Sequence, residues 1–189
     1  MTFGVTPSQT IGPFFRIGLE PLYDADIAKT DTNGERITVR GRVLDGQGQP
    51  VPDAVVEIWQ ANSHGKYAHP DDGQATELQK GFSGFGRVPT DENGAFQFRT
   101  IKPGAVSGSD GREQAPHLVI SIFMRGLLKG LQTRMYFPDE PQNAHDFVLG
   151  LVPPERRASL IARRMSGEGA ALEWNVILQG EAETIFFDY

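Results

Sequence analysis

The chemistry open to this chain is bounded first by what it lacks. It has no cysteine, which excludes disulfides, thiolate metal sites and cysteine nucleophiles. Of its 4 histidines, His64, His69 and His145 stand in polar stretches and read as solvated side chains. No two of them have the i,i+4 spacing of a helical metal site. His117 heads an apolar run, where an imidazole is ordinarily a core group donating to a backbone carbonyl. Tyr67 closes the polar loop Asn62-Ser63-His64-Gly65-Lys66-Tyr67, and Arg125 follows the run Leu118–Met124. The glycine-rich stretch Gly81-Phe82-Ser83-Gly84-Phe85-Gly86-Arg87 is not a phosphate cradle, because it lacks the terminal Lys-Ser/Thr and a following helix.

The elements that must carry these residues are mostly strands. Val39 and Val43 alternate with Arg40 and Arg42, a half-buried strand. Asp45-Gly46-Gln47-Gly48-Gln49-Pro50 breaks it, and Val55-Val56-Glu57-Ile58-Trp59 resumes. The pair is expected to form a core hairpin. Residues 23–36 read as a surface loop, and 69–89 as another. Asp91-Glu92-Asn93-Gly94 is a turn that leads into a strand with Phe96 and Phe98 inward. His117–Met124 is short and almost wholly apolar, which fits a central strand. Leu131–Phe137 and Trp174–Gln179 read as two more. A helix is predicted over Pro153–Arg164, with proline and Glu155 at its start and Arg163-Arg164 at its end. Residues 1–22 read as an extended arm whose Ile11, Phe14 and Phe15 need a surface, on a partner or on the chain itself. The ending Ile185-Phe186-Phe187-Asp188-Tyr189 makes the same demand. The whole is predicted to be all-β, one β-sandwich domain over 1–189 with that arm and one short late helix.

The 189 residues suffice for one domain with a sizeable core. A net charge of −6 without any basic run argues against a nucleic-acid partner. No apolar run approaches the ~20 residues of a spanning helix. The start, Met1 to Pro7, lacks the basic and apolar regions of a signal peptide, so a cytoplasmic location with no membrane contact is expected.

Trp59-Gln60-Ala61-Asn62, Gly65-Lys66-Tyr67, Thr100-Ile101-Lys102-Pro103-Gly104, Ala115-Pro116-His117 and Met135-Tyr136-Phe137 follow one another in the order seen in intradiol ring-cleaving dioxygenases. The chain resembles that family along nearly its whole length. The arm Thr6-Pro7-Ser8-Gln9-Thr10-Ile11-Gly12-Pro13 and the ending Gly180 to Asp188 are similar, more narrowly, to the α-type chains of its two-chain members.

The resemblance implies a mononuclear Fe(III) held by two tyrosines and two histidines on the iron-bearing chain, with a position open to a catechol. Here the first tyrosine position falls on Tyr67 and the first histidine position on His117. The second tyrosine position falls at Ala105-Val106 and the second histidine position on Val119, and the family's arginine ahead of the histidines is Gln114. No iron is therefore expected on this chain, which speaks against a self-sufficient dioxygenase with an unusual ligand set. The resemblance implies an obligate homologous β subunit that holds the Fe(III), assembly into a larger αβ oligomer, and a small carboxylated catechol and O2 as substrates. It further implies substrate contacts from the arm, through Thr10, Gly12 and Pro13, and from Arg125, with Arg134 a weaker candidate better suited to pairing with an acidic neighbour. The competing expectation is a β-sandwich binding module with no redox role.

Overall fold

The computed structural model describes residues 4–29, 31–74, 78–108, 111–167 and 169–188. Two sheets pack over a shared apolar core in which Val39, Val43, Phe96 and Phe98 of one meet Val56, Ile58, Ile120 and Met135 of the other. In the first sheet β1 (Arg36–Leu44) pairs antiparallel with β4 (Ala95–Ile101). The other edge of β1 is shared in turn by β10 (Ala171–Glu173) and β11 (Val176–Ile177), both parallel to it. Strand β9 (Arg163–Arg164) extends that side through β10. The second sheet runs β3-β2-β7-β8, from β3 (Phe85–Pro89) through β2 (Val55–Trp59) and β7 (His117–Phe123) to β8 (Leu131–Tyr136). A short ribbon of β5 (Val106–Ser107) and β6 (Glu113–Gln114) leads into β7.

The sandwich and the central position of the 117–123 strand agree with the sequence. The predicted hairpin does not form. Strands β1 and β2 lie in different sheets, and the loop between them crosses the core layer. Alternation shows that each strand has one buried face, but not which neighbour it bonds. Residues 24–28 are no surface loop either. They bridge β3 at Arg87 and β4 at Arg99, and Ile27 and Ala28 are fully buried. Strand β3 was hidden within a predicted loop by Gly86, which packs against the Ile27 side chain where a larger residue would not fit. The helix expected over Pro153–Arg164 is a 3₁₀ segment, Pro154–Leu160, followed by β9. Leu160 packs into a second apolar cluster with Tyr136 and Leu149, while pairing of β9 with β10 draws Arg163-Arg164 into the sheet. The short α-helices are α1 (Phe14–Gly18) and α2 (Phe147–Leu151), so the arm is not extended throughout.

Of the late strand expected over Trp174–Gln179 only Val176–Ile177, β11, pairs as strand; β10 ends at Glu173, just ahead of it. The apolar ending finds its surface on the chain itself: Phe187 N–H donates to the Gln132 carbonyl at 2.8 Å, on the free edge of β8. The arm does so only in part. The rings of Phe15 and Phe123 lie 5.9 Å apart, while Phe14 remains 79% exposed.

Candidate functional site

The outer face of the second sheet gathers the residues that the sequence marks out. Register aligns Phe85, Trp59, Val119 and Arg134 across the four strands. Tyr67 stacks on Trp59, with centroids 5.6 Å apart and planes 14° off parallel. His117, two residues before Val119 on the same face, pairs with Tyr136, and their rings are 5.8 Å apart. In the adjoining ribbon Val106 stands opposite Gln114, whose Oε1 accepts a hydrogen bond from Arg134 Nη1 at 2.7 Å. Trp59, Tyr67 and Val106 line a cleft of about 840 Å³, together with His69, Asp72 and Gln74. The four positions assigned to ligands, Tyr67, Val106, His117 and Val119, thus converge although they span more than a quarter of the chain.

Buried polar clamps bring them together. Gln60 Nε2 donates to the Ile101 carbonyl at 3.0 Å, and Thr100 Oγ1 donates to Gln60 Oε1 at 2.7 Å. The Asn62 side chain accepts from the His64 and Lys66 N–H groups, which folds the loop that ends on Tyr67. Gly104 N–H donates to the Asn62 carbonyl at 2.9 Å, tying this loop to the chain that enters β5. Gly65 has φ +79° and lies against the Ala105 carbonyl, so only glycine suits that crossing. Most of the Trp-Gln-Ala-Asn and Thr-Ile-Lys-Pro-Gly motifs is therefore scaffold that holds Tyr67 beside Val106. Sequence reasoning quoted these motifs without seeing this role, because the bonds join residues some 40 positions apart.

Behind the cleft lies a polar group that sequence reasoning missed. Asp146 is buried, and its carboxylate accepts from Ala115 N–H at 2.8 Å, Leu149 N–H at 2.7 Å and Tyr136 Oη–H at 3.0 Å. Only the Asp-Phe start of α2 hints at it, as an N-cap. His117 Nδ1–H donates to the Ala115 carbonyl at 2.7 Å, as expected of a satisfied core histidine. Burial, reinforced by the Arg134 charge, pushes its pKa down to about 4. Burial also raises the Tyr136 phenol well above its ordinary value. Arg134, expected to pair with an acidic neighbour, bonds the Gln114 amide and lies buried. His64, His69 and His145 are exposed, as expected.

The family's ferric ion does not fit these residues. Val106 and Val119 have no donor atoms, Tyr67 and His117 alone leave most of the coordination to water, and a guanidinium is already present. Among the described residues no three His, Asp or Glu side chains are grouped to hold a metal. Nor is any helix among them long and apolar enough to cross a membrane.

The predicted substrate residues lie elsewhere. Gly126 N–H donates to Thr10 Oγ1 at 2.7 Å, fixing the arm beside Arg125. Gly12 and Pro13 follow, and the Gly12 carbonyl accepts from Phe15 N–H at 3.1 Å. Arg125 is exposed and pairs with Asp53. This group sits past the C-terminal end of β7, whereas His117 begins that strand. The strand between them rises roughly 20 Å at about 3.3 Å per residue.

The dioxygenase family's sequence model matches residues 12–180. The alpha chain of protocatechuate 3,4-dioxygenase from Pseudomonas putida is 42% identical, over 97% of this chain and 96% of that one. The chain belongs to the intradiol ring-cleavage dioxygenase family. Within this family it is also 41% identical to a protocatechuate 3,4-dioxygenase beta chain from Burkholderia cepacia, over 88% of this chain and 75% of that one. The fold is shared with 3-chlorocatechol 1,2-dioxygenase from Rhodococcus opacus 1CP, at a TM-score of 0.63 and 22% identity, covering 93% of this chain and 69% of that one. The all-β sandwich expected from sequence is thus the architecture of solved intradiol dioxygenases.

Proposed function

We propose that this one-domain chain is the iron-free α subunit of a protocatechuate 3,4-dioxygenase. A homologous β subunit holds the Fe(III), and the assembled enzyme uses O2 to open protocatechuate between its two hydroxylated carbons. Both oxygen atoms enter the product, 3-carboxy-cis,cis-muconate, as parts of its new carboxylates. Substrate contact from this chain comes through Thr10, Gly12, Pro13 and Arg125. The arm offers a rigid backbone with little side chain, which can approach a flat ring closely. Arg125 offers a guanidinium to the substrate carboxylate.

One observation carries this reading. The arm and Arg125 lie past the C-terminal end of β7, whereas buried His117 begins that strand on the side of the Tyr67 cleft. They cannot serve a ring bound in this chain's own cleft, so their use is to a site on another chain. The likeness to an alpha chain over nearly the full length supports the same reading.

Co-expression with a β-type chain is the test. The expected product is one coloured complex with one iron per αβ pair, while this chain purified alone is colourless and iron-free. A chain that purifies alone and never joins a β partner would instead be a binding module.

A further inference from the structure

The three places where this chain departs from an iron-binding set, at Val106, Gln114 and Val119, are not scattered. Val106 stands opposite Gln114, Gln114 bonds Arg134, and Arg134 stands opposite Val119. The lost tyrosine position and the lost histidine position are thus joined through one guanidinium. Arg134 is buried, with its charge acting on both His117 and Tyr136. A buried arginine needs acceptors within reach, and here the Gln114 amide at 2.7 Å and the Tyr136 hydroxyl serve it.

We infer that the Arg134 guanidinium is the resident cation of this cleft: it bridges the rewritten walls through Gln114 and excludes a metal ion by its own charge. This deepens the reading of the chain as iron-free, on which it rests. Loss of donors alone would leave a weak site open to adventitious metal. A fixed positive charge beside the remaining donors closes it, because a ferric ion there would meet strong like-charge repulsion in a poorly solvated site. Restoring the donors is therefore insufficient to restore the metal.

The experiment uses the αβ complex, with iron per αβ pair and phenolate-to-iron absorption as readouts and thermal melting as the check on folding. Val106→Tyr with Val119→His restores both donors; Arg134→Gln is then added. The donor-restored double variant is expected to hold one iron per pair, like the unmodified complex, and the triple variant to approach two with a matching rise in absorption. A double variant that gains the second iron with Arg134 in place overturns the inference. So does a triple variant that melts normally yet gains none. Should the triple variant not fold, the double variant carrying Arg134→Lys decides: the retained charge must still exclude iron, and a gain of iron refutes it. Two irons per pair in the unmodified complex would instead defeat the reading of this chain as iron-free.

Discussion

His117 shows how a single buried group ties this fold to pH. Its pKa is held at about 4 in the folded chain against an ordinary 6.5. Above pH 6.5 the imidazole is neutral in both states and contributes no pH dependence. As pH falls below 6.5 the unfolded chain takes up the proton first, so stability declines until pH 4, where the folded state also protonates. The loss is about 2 kcal/mol by pH 5 and on the order of 3 kcal/mol in full. Urea denaturation between pH 7 and 5 is expected to show this decline, and His117→Gln to flatten it. An equal slope in both proteins would mean that the histidine is solvated in the folded state. The bond from His117 to the Ala115 carbonyl satisfies the ring as a core group.

At the scale of elements, two joints hold the cleft. One is Asp146, which caps α2 and receives donors from the approach to β7 and from β8. Asp146→Ala leaves three buried donors without that acceptor, and a loss of about 3 kcal/mol or more is expected in urea denaturation. The other is the crossing of the Tyr67 loop over the chain entering β5. Gly65→Ala combines a positive φ with overlap of the Ala105 carbonyl. It is expected to cost about 2–4 kcal/mol and to weaken the Trp59–Tyr67 stack, read by near-ultraviolet circular dichroism. A spectrum and stability like those of the parent would show that the crossing tolerates a side chain. Both joints link elements distant in sequence, which is why neither is visible as a local motif.

At the scale of the whole molecule, the chain carries the Tyr67 cleft at one end of β7 and the arm with Arg125 at the other. The arm leaves Phe14 and Ile17 exposed beside Thr10, Gly12 and Pro13, and Arg125 stands next to them. In the assembled enzyme Gly12→Val or Arg125→Ala is expected to raise KM for protocatechuate about tenfold, the worth of one charged contact, with iron content unchanged. Unaltered kinetics in both variants would remove the arm and Arg125 from the catalytic pocket. The pairing of Arg125 with Asp53 gives the guanidinium a partner on this chain.

Period-two patterning in 36–44 and 95–101, with the short apolar runs at 55–59 and 117–123, determined the sandwich, because strands with apolar faces to bury leave two packed sheets as the stable arrangement. Residue identity at Val106 and Val119 determined the missing donors, since an aliphatic side chain cannot ligate a metal in any fold. Sequence could not decide which strands share a sheet, since alternation is blind to the partner, nor that a proline-led, charge-capped segment at Pro154–Leu160 would wind as 3₁₀ once Leu160 was drawn into the second cluster. Only the tertiary structure brought Gln114 and Arg134 between the two lost ligand positions and separated the arm from them by the length of a strand. Hydrogen bonds across 20 or more positions depend on sheet register, and register is a property of the assembled chain.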